Sequence, residues 1–336
     1  RRFFIYFIGK GSERAGMDNK IFRILTIDGG GIRGVFAAHF LRRMQQELKV
    51  NFYKDFDLIA GTSTGSIVAA GLAIDSPIEK LVDLYRVEGK KIFARRYSPF
   101  LNFEKSDRVF SNWKNWFESK YDATYLRQVL TREFQNKTLS DTKTRLMIPA
   151  TDISNGNVYV FKSNYDPDFV RDKNIKLVDA VLASCSAPTY FNPNLVGQYL
   201  LADGGLWANN PSLVALTEVM GRRFSIPGER IRILSIGLGL GKKYYNIRDY
   251  SKEWGLGRWG KGLVESILSL QSINVDNVVN FILNGDKGYL RINFDADDGM
   301  ALDNVDMIEN LISKADERFT YKFNEIKNFL NEEGSV

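Results

Sequence analysis

Histidine and cysteine are nearly absent from this sequence, and each shortage argues against a class of site. The 336 residues include one histidine, His39, and one cysteine, Cys185. A single cysteine cannot form an intrachain disulfide, and it fits a reducing compartment. A zinc site built from clustered histidines and cysteines is disfavoured for the same reason. No run of the sequence approaches the roughly 20 apolar residues that a membrane-spanning helix needs.

Charge of one sign is in only slight excess. The net charge of +6 fits weak attraction to an anionic membrane surface or a phosphate-bearing ligand, or simply a solvated surface. The composition, 44% hydrophobic and 26% charged, is ordinary for a globular protein. Residues 1–16 carry an apolar run too short for a signal peptide, and Met17 resembles a natural start. We interpret residues 1–16 as a leader or upstream extension and expect a cytoplasmic protein.

Short apolar runs alternate with stretches of helical periodicity from residue 21 onward. Parallel strands joined by right-handed helical crossovers are the usual result. We therefore predict an α/β protein: a three-layer α/β/α fold with a mostly parallel central sheet. The predicted strands cover residues 21–27, 56–60, 145–152, 157–163, 198–205 and 230–239, and the predicted helices cover residues 34–48, 64–74, 77–89, 177–187, 211–220 and 302–330.

A serine framed by glycines follows the second predicted strand. The run Gly61-Thr62-Ser63-Thr64-Gly65 has the pattern of a nucleophile elbow, in which a serine occupies the tip of a strand-to-helix turn. In α/β-hydrolases the histidine of the triad comes last along the chain. No histidine follows residue 39, so that triad is absent. His39 falls within a predicted helix, and we interpret it as a core or surface residue.

A glycine-rich loop precedes the serine. It contains G-x-G-x-x-G at Gly29, Gly31 and Gly34, between a predicted strand and a predicted helix. Such a loop can bind a pyrophosphate, but the carboxylate of Asp28 would repel one, and the next strand ends in a serine rather than a ribose-binding acid. The same amides could instead receive the oxyanion of an acyl intermediate. Because loops at the carboxyl ends of adjacent parallel strands share one crevice, we expect this loop beside Ser63.

A base for Ser63 must come from a residue other than histidine. Asp203, in the run YLLADGGLWANNP, is the best candidate because it ends a predicted strand beside two glycines. If that strand joins the same sheet, the carboxylate reaches the crevice that Ser63 enters. A dry, apolar pocket would raise the pKa of the carboxyl toward the working pH. For an isolated DGG, a tight turn is the alternative interpretation.

The runs DGGGIRG, GTSTG and DGG, in this order, resemble the three signatures of patatin-like phospholipases, which use a Ser–Asp dyad. Further stretches match the family's pattern between residues 21 and 239, namely ATDISNGNVYVFKS, ASCSAPTYF, NNPSLVAL and ILSIGLG. Leu238 and Cys185 depart from the commonest pattern without touching the expected chemistry. The resemblance implies a patatin-like catalytic domain over residues 17–245. Residues 246–336 would form a C-terminal helical extension packed on that domain.

The resemblance also assigns roles to residues. It implies Ser63 as the nucleophile and Asp203 as the base, with no metal or organic cofactor. The amides of Gly30 and Gly31 would form the oxyanion hole, with Arg33 adding positive charge. The remaining motif positions are Gly29 and Gly34 in the oxyanion loop, Gly61, Thr62, Thr64 and Gly65 in the elbow, and Gly204 and Gly205 beside the acid.

The compact size and C-terminal helical region resemble the CapV-type phospholipases of bacterial anti-phage systems, which a cyclic dinucleotide switches on. This implies membrane glycerophospholipids as substrate, action at the inner face of the cell membrane, a cyclic-dinucleotide activator and no DNA or RNA partner. A homo-oligomer is compatible with the sequence. No motif locates an activator site; the basic and aromatic residues of 90–125, or Lys242, Lys243, Tyr244 and Tyr245, are candidates.

Other interpretations remain open at this point. The segment 90–125 could be a membrane-facing lid or an irregular insertion packed on the core, and residues 255–263 are a second candidate mobile loop. A dinucleotide-binding oxidoreductase would use the loop from Gly29 to Gly34 and would tolerate loss of Ser63. A constitutive patatin-like lipase would have the same catalytic residues without nucleotide control.

Overall fold

The computed structural model describes residues 20–93, 119–241, 251, 262–296 and 300–331. Several sequence predictions lie outside these residues: the leader at 1–16, most of the aromatic and basic segment 90–125, the activator candidates at 242–245, and most of the loop at 255–263.

The strand β1 (Phe22–Ile27) lies inside the sheet and shows how the sequence produces three layers. Leu25 and Ile27 pack into a large core on one face of the sheet, whereas Ile24 packs into a second core on the other face. A strand that is buried on both faces has an almost continuous apolar sequence, as residues 21–27 do.

The strands after β1 are β2 (Leu58–Gly61), β3 (Arg145–Asp152), β4 (Asn157–Lys162), β5 (Asn194–Val196), β6 (Tyr199–Asp203), β7 (Ile231–Ile236), β8 (Leu240–Gly241), β9 (Tyr289–Ile292) and β10 (Asp295–Ala296). In the described part of the chain, eight strands form one sheet in the order β5-β6-β3-β2-β1-β7-β9, with β4 also paired to β3, and β8 and β10 form a separate pair. In the large sheet the pairs β1–β2, β1–β7, β2–β3 and β7–β9 are parallel, whereas β3–β4, β3–β6 and β5–β6 are antiparallel. The predicted α/β fold with a mostly parallel sheet is confirmed.

Helices cover both faces of the sheet. They are α1 (Gly34–Leu48), α2 (Phe52–Asp55), α3 (Thr64–Ala73), α4 (Ile78–Ile92), α5 (Ala123–Phe134), α6 (Leu177–Ser184), α7 (Gly205–Ala208), α8 (Ser212–Met220), α9 (Gly262–Ile282) and α10 (Ile308–Asn331). The large core receives side chains from α1, α3, α4, α5, α6 and α10, and the second core receives them from α8 and α9. This arrangement gives the three layers.

Two elements near the C-terminal end were not predicted from the sequence. The strand β9 joins the main sheet beside β7, so residues beyond 245 contribute to the sheet as well as to the helical layers. The helix α9 has weak amphipathic periodicity because its exposed side carries uncharged residues, several of them apolar. The domain boundary at residue 245 stays a prediction.

Within the described ranges, no helix combines the length and the apolar composition needed to cross a bilayer.

Candidate active site

Ser63 lies at the sharp turn between β2 and α3. Its backbone has φ 51° and ψ −129°, a left-handed conformation that is strained for a residue with a side chain. The turn is held on both sides: the Ser63 amide donates to Ser184 Oγ at 2.8 Å, and Ser66 Oγ donates to the Ser63 carbonyl at 2.5 Å. The turn also needs a glycine at position 65, because a Cβ there would collide with the carbonyl of Asp28. The predicted elbow geometry is therefore present.

Asp203 is the last residue of β6, and its carboxylate contacts the serine. Ser63 Oγ donates to Asp203 Oδ2 at 2.6 Å, while the Gly205 amide donates to Asp203 Oδ1 at 2.6 Å. The backbone of Asp203 is fixed as well, because its carbonyl accepts from Thr151 Oγ1 at 2.7 Å. The structure thus brings together the two residues that the sequence singled out, although they are 140 positions apart.

The environment of Asp203 alters its acidity. The side chain is buried, and this desolvation raises the pKa of the carboxyl from 3.8 to about 7. The hydrogen bonds from Ser63 and from the Gly205 amide act in the opposite direction and offset part of that rise. A carboxylate of this kind holds a proton far more readily than an exposed aspartate does, which suits it to proton transfer near neutral pH.

The amides of the glycine loop differ in whether they are free to donate. Gly29 N donates to the Asn209 carbonyl at 3.0 Å, and Gly34 N donates to the carbonyls of Gly31 and Ile32. Within the described residues, the amides of Gly30 and Gly31 have no hydrogen-bond acceptor, and both residues line the cavity that contains Ser63. Of the four glycines predicted for an oxyanion hole, only these two can therefore present their N–H groups.

Gly31 is the position at which the loop requires a glycine most clearly. Its φ of 59° lies in the left-handed region, and a Cβ there would collide with the carbonyl of Leu302. That same carbonyl accepts a hydrogen bond from Ile32 N at 2.8 Å. The backbone around Leu302 therefore packs directly on the glycine loop.

Arg33 supports the glycine loop from a position outside the cavity lining. The guanidinium is buried and donates to the carbonyls of Gly30, at 3.4 Å, and Gly239, at 3.3 Å. Burial lowers the pKa of Arg33 to about 10, so the group is still cationic at neutral pH. Its side chain is absent from the described lining of the cavity, so its positive charge acts through the loop rather than by contact with the Ser63 oxygen.

The carboxylate of Asp28 is paired and does not lie free at the entrance of the loop. Arg291, on β9, donates to both carboxylate oxygens of Asp28, at 2.8 and 2.5 Å, and also to Ser235 Oγ at 2.7 Å. Ser272 Oγ donates to Asp28 at 3.3 Å. The argument that Asp28 would repel a pyrophosphate required an unpaired carboxylate, whereas the carboxylate is paired with a largely buried arginine.

Arg291 pairs with Asp28 beside the glycine loop and could not be recognised from the sequence. It belongs to β9, which contains no motif, and its partner is about 260 residues away. The only available signal was an arginine within a short apolar strand, YLRI. Ser272 Oγ also accepts a hydrogen bond from the side-chain amide of Asn209 at 3.0 Å. Ser272 thus connects the Asp28–Arg291 pair to Asn209, whose backbone carbonyl accepts from the Gly29 amide.

His39 is remote from this chemistry. It is buried in α1, where Nε2 lies 2.9 Å from Asp316 Oδ1 on α10 and Nδ1 lies 3.0 Å from Arg42. Burial lowers the pKa of the imidazole. Of the two positions expected for His39, core or surface, the structure shows the buried one.

The cavity beside Ser63 is small and apolar. Its volume is about 60 Å³, enough for only a few water molecules. Its apolar walls include Ile67, Leu84, Ile92, Phe93, Leu126, Pro188, Phe191, Leu206, Leu268 and Leu302. Cys185 also lines it, and burial raises the pKa of that thiol, so it is not a competing nucleophile. Such walls suit an aliphatic chain.

Comparison with known proteins identifies the family of this chain. Residues 25–216, which contain the glycine loop, Ser63 and Asp203, match the family model described as patatin-like phospholipase. The chain belongs to the patatin-like phospholipase family. The activity that goes with this membership is hydrolysis of lipid esters, and a dinucleotide-binding oxidoreductase is not favoured.

Several patatin-like relatives align over most of the chain. A Pseudomonas aeruginosa protein named cGAMP-activated phospholipase is 34% identical over 263 residues, which cover 77% of this chain and 74% of the relative. A Vibrio cholerae protein of the same name is 36% identical and covers 71% of each chain. Patatin-like protein 2 of Arabidopsis thaliana is 30% identical and covers 86% of this chain and 79% of the relative.

Proposed function

We propose that this patatin-like phospholipase cleaves fatty acyl esters of membrane glycerophospholipids with Ser63 as nucleophile and Asp203 as its base. The observation that carries the proposal is the 2.6 Å hydrogen bond from Ser63 Oγ to Asp203 Oδ2, at the edge of an apolar cavity. In the first step, Ser63 Oγ attacks the ester carbonyl carbon and its proton passes to Asp203. A pKa of about 7 makes that transfer easier than it would be for an exposed aspartate.

The oxyanion of the tetrahedral intermediate would be stabilised by the amides of Gly30 and Gly31. Both residues line the cavity, and within the described residues neither amide has another acceptor. Preorganised backbone donors of this kind lower the barrier because they need no reorganisation as charge develops. Arg33 would add positive charge near the oxyanion through its hydrogen bond to the Gly30 carbonyl. Gly29 and Gly34 would shape the loop rather than donate to the oxyanion.

Breakdown of the intermediate returns the proton. Asp203 would protonate the departing lysophospholipid oxygen, which leaves an acyl ester on Ser63. Asp203 would then take a proton from water, the resulting hydroxide would attack the acyl carbonyl, and the fatty acid would be released. The same two amides would stabilise the second tetrahedral intermediate. As it collapses, the proton on Asp203 would pass back to Ser63 Oγ, which restores the free serine.

Replacement of either residue tests this mechanism. Ser63→Ala and Asp203→Asn are each expected to lower fatty acid release from mixed bacterial phospholipids by at least about 10³-fold. The products would be read by mass spectrometry. Ser163→Ala is a suitable control because Ser163 is a buried serine outside the cavity lining, where it contacts Leu146 near the amino end of β3. Release at the wild-type rate by either variant would show that the assignment is wrong.

We further propose that a cyclic dinucleotide activates the enzyme, that it acts at the inner face of the cell membrane, and that anti-phage defence is its setting. The support is the similarity to bacterial relatives named cGAMP-activated phospholipases. Lipase activity measured with and without a panel of cyclic dinucleotides, cGAMP included, tests the activation. Equal activity in every sample would favour a constitutive patatin-like lipase instead.

A further inference from the structure

Large apolar side chains are exposed along one face of α9. Leu270 is 65% exposed and Phe281 is 87% exposed, and Ile267 is 42% exposed. These three residues, together with the exposed Asn274 and Asn277, are spaced so that they share one side of the helix. We call this set the outer face of α9. The opposite side carries Ser272, Val275 and Val279, all of which are buried against the body of the protein.

The outer face is unusual because it carries no charge. From residue 265 to residue 282, α9 contains no lysine or arginine, and its two acidic residues, Glu265 and Asp276, lie on other sides of the helix. The outer side of α10 follows the common pattern instead, with exposed Glu309, Glu317 and Lys327. An uncharged stripe with exposed leucine and phenylalanine is the kind of surface that marks a contact with an apolar partner.

The helix α9 is also a wall of the catalytic cavity. Leu268, on its inner side, lines the cavity and lies close to Gly205, two residues after Asp203. Leu206, on the adjoining helix α7, lines the same cavity and is 39% exposed, so it reaches from the cavity to the surface. The apolar lining beside Ser63 and the outer face of α9 are therefore separated by the thickness of one helix.

We propose that the outer face of α9, together with Leu206, is the surface by which this enzyme docks on a lipid bilayer. The proposal rests on the proposed function, because it takes the cavity of Ser63 as the place where lipid is cleaved. A phospholipase must draw its substrate from a bilayer. The transfer of an uncharged helix face with exposed Leu and Phe side chains from water to the interfacial region of a bilayer is favourable. Docking there would bring the lipid next to the cavity wall.

Asparagine substitutions test the docking surface with little risk to the fold. Asn274 and Asn277 already occupy this face, so Leu270→Asn and Phe281→Asn introduce a side chain that the helix tolerates there. Leu195→Asn and Val170→Asn are matched controls, because those side chains are 70% and 66% exposed but lie outside α7 and α9. All variants would be assayed for sedimentation with vesicles of phosphatidylethanolamine and phosphatidylglycerol, with and without cGAMP.

We expect the Leu270→Asn and Phe281→Asn variants to lose about ten-fold or more in vesicle partitioning and in hydrolysis of vesicle lipid. Hydrolysis of a water-soluble short-chain ester should stay at the wild-type rate, and so should every property of the two controls. The proposal is overturned if the α9 variants sediment like wild type, if the controls lose as much, or if the wild-type chain does not bind vesicles.

Two further measurements separate the remaining outcomes. If light scattering shows that the wild-type chain is an oligomer and that the α9 variants are monomers, the outer face is a contact between copies and the docking proposal is wrong. Ser63→Ala should bind vesicles normally while it fails to cleave the soluble ester. If Ser63→Ala still cleaves the ester, the proposed function fails, and vesicle binding by the α9 variants still decides the docking surface.

Discussion

Replacement of Asp203 by asparagine should abolish activity and at the same time stabilise the protein above neutral pH. The folded protein holds this carboxyl in a buried site that raises its pKa from 3.8 to about 7. In the unfolded chain the carboxyl is hydrated and ionises at its ordinary pKa. At pH values between these two pKa values, unfolding therefore releases a proton. Unfolding then becomes more favourable as the pH rises. The asparagine of the variant has no proton to release, so this loss of stability would disappear.

The size of the effect follows from the two pKa values. Each pH unit between them is worth about 1.4 kcal/mol, so the wild-type protein loses at most about 4 kcal/mol relative to the variant between pH 4 and pH 7. The asparagine keeps an acceptor for Ser63 and Gly205 but adds an amide that needs its own partner, which costs about 1–3 kcal/mol at every pH. The pH-dependent part of the difference is thus the quantity to measure.

Urea unfolding of both proteins at several pH values from about 4 to about 8 provides the measurement. The free energy of unfolding of Asp203→Asn minus that of wild type should rise through this range by about 2–4 kcal/mol and level off above pH 7. Asp83→Asn, which alters an exposed carboxylate on α4, is the control and should show a much smaller change. A difference that is constant with pH, or that falls as the pH rises, would refute the buried, proton-holding state of Asp203.

Three other predictions concern the same site. The kcat/KM for a soluble ester should rise as the pH is raised through about 7, because Asp203 must be ionised to accept a proton; a flat profile would contradict this role. Gly31→Ala should lower ester hydrolysis by at least about 10²-fold while circular dichroism shows an intact fold, since a Cβ would push the loop away from Leu302. Arg291→Met should lower the free energy of unfolding by about 3–5 kcal/mol, because it leaves Asp28 buried without its partner. Adding Asp28→Asn should restore most of that loss in urea unfolding, and no recovery would argue against the ion pair.

The sequence was sufficient to predict most of the parallel part of the sheet and to single out Ser63 and Asp203, which the structure brings into contact. Runs such as residues 21–27 are apolar on both faces of a strand, and their glycine-rich ends meet at one edge of the sheet. Ser63 follows one predicted strand and Asp203 ends another, so the two were expected in a common crevice if the second strand joined the same sheet. It joins that sheet as β6. The short distance between their oxygens could not be predicted, since it depends on the antiparallel pairing of β6 with β3.

Other features have no local signal in the sequence. The ion pair of Asp28 with Arg291 joins strands that are far apart in the chain, and nothing in YLRI indicates a partner. The Gly29 amide is not free to donate to a ligand because it is bonded to the carbonyl of Asn209, which comes from a distant segment. The helix α9 was missed because an uncharged outer face removes the polar half of the amphipathic pattern.

Two features of the site are independent of each other: the hydrogen bond between Ser63 and Asp203, and the size of the cavity beside it. The hydrogen bond between the two side chains is already made, but the space next to it holds only a few water molecules. A long acyl chain needs the walls to move apart, whereas the reacting groups need no rearrangement. An activator that widens this space would therefore change the acyl-chain length that the enzyme accepts. Short-chain esters should then be cleaved at similar rates with or without it, and the stimulation should grow with chain length.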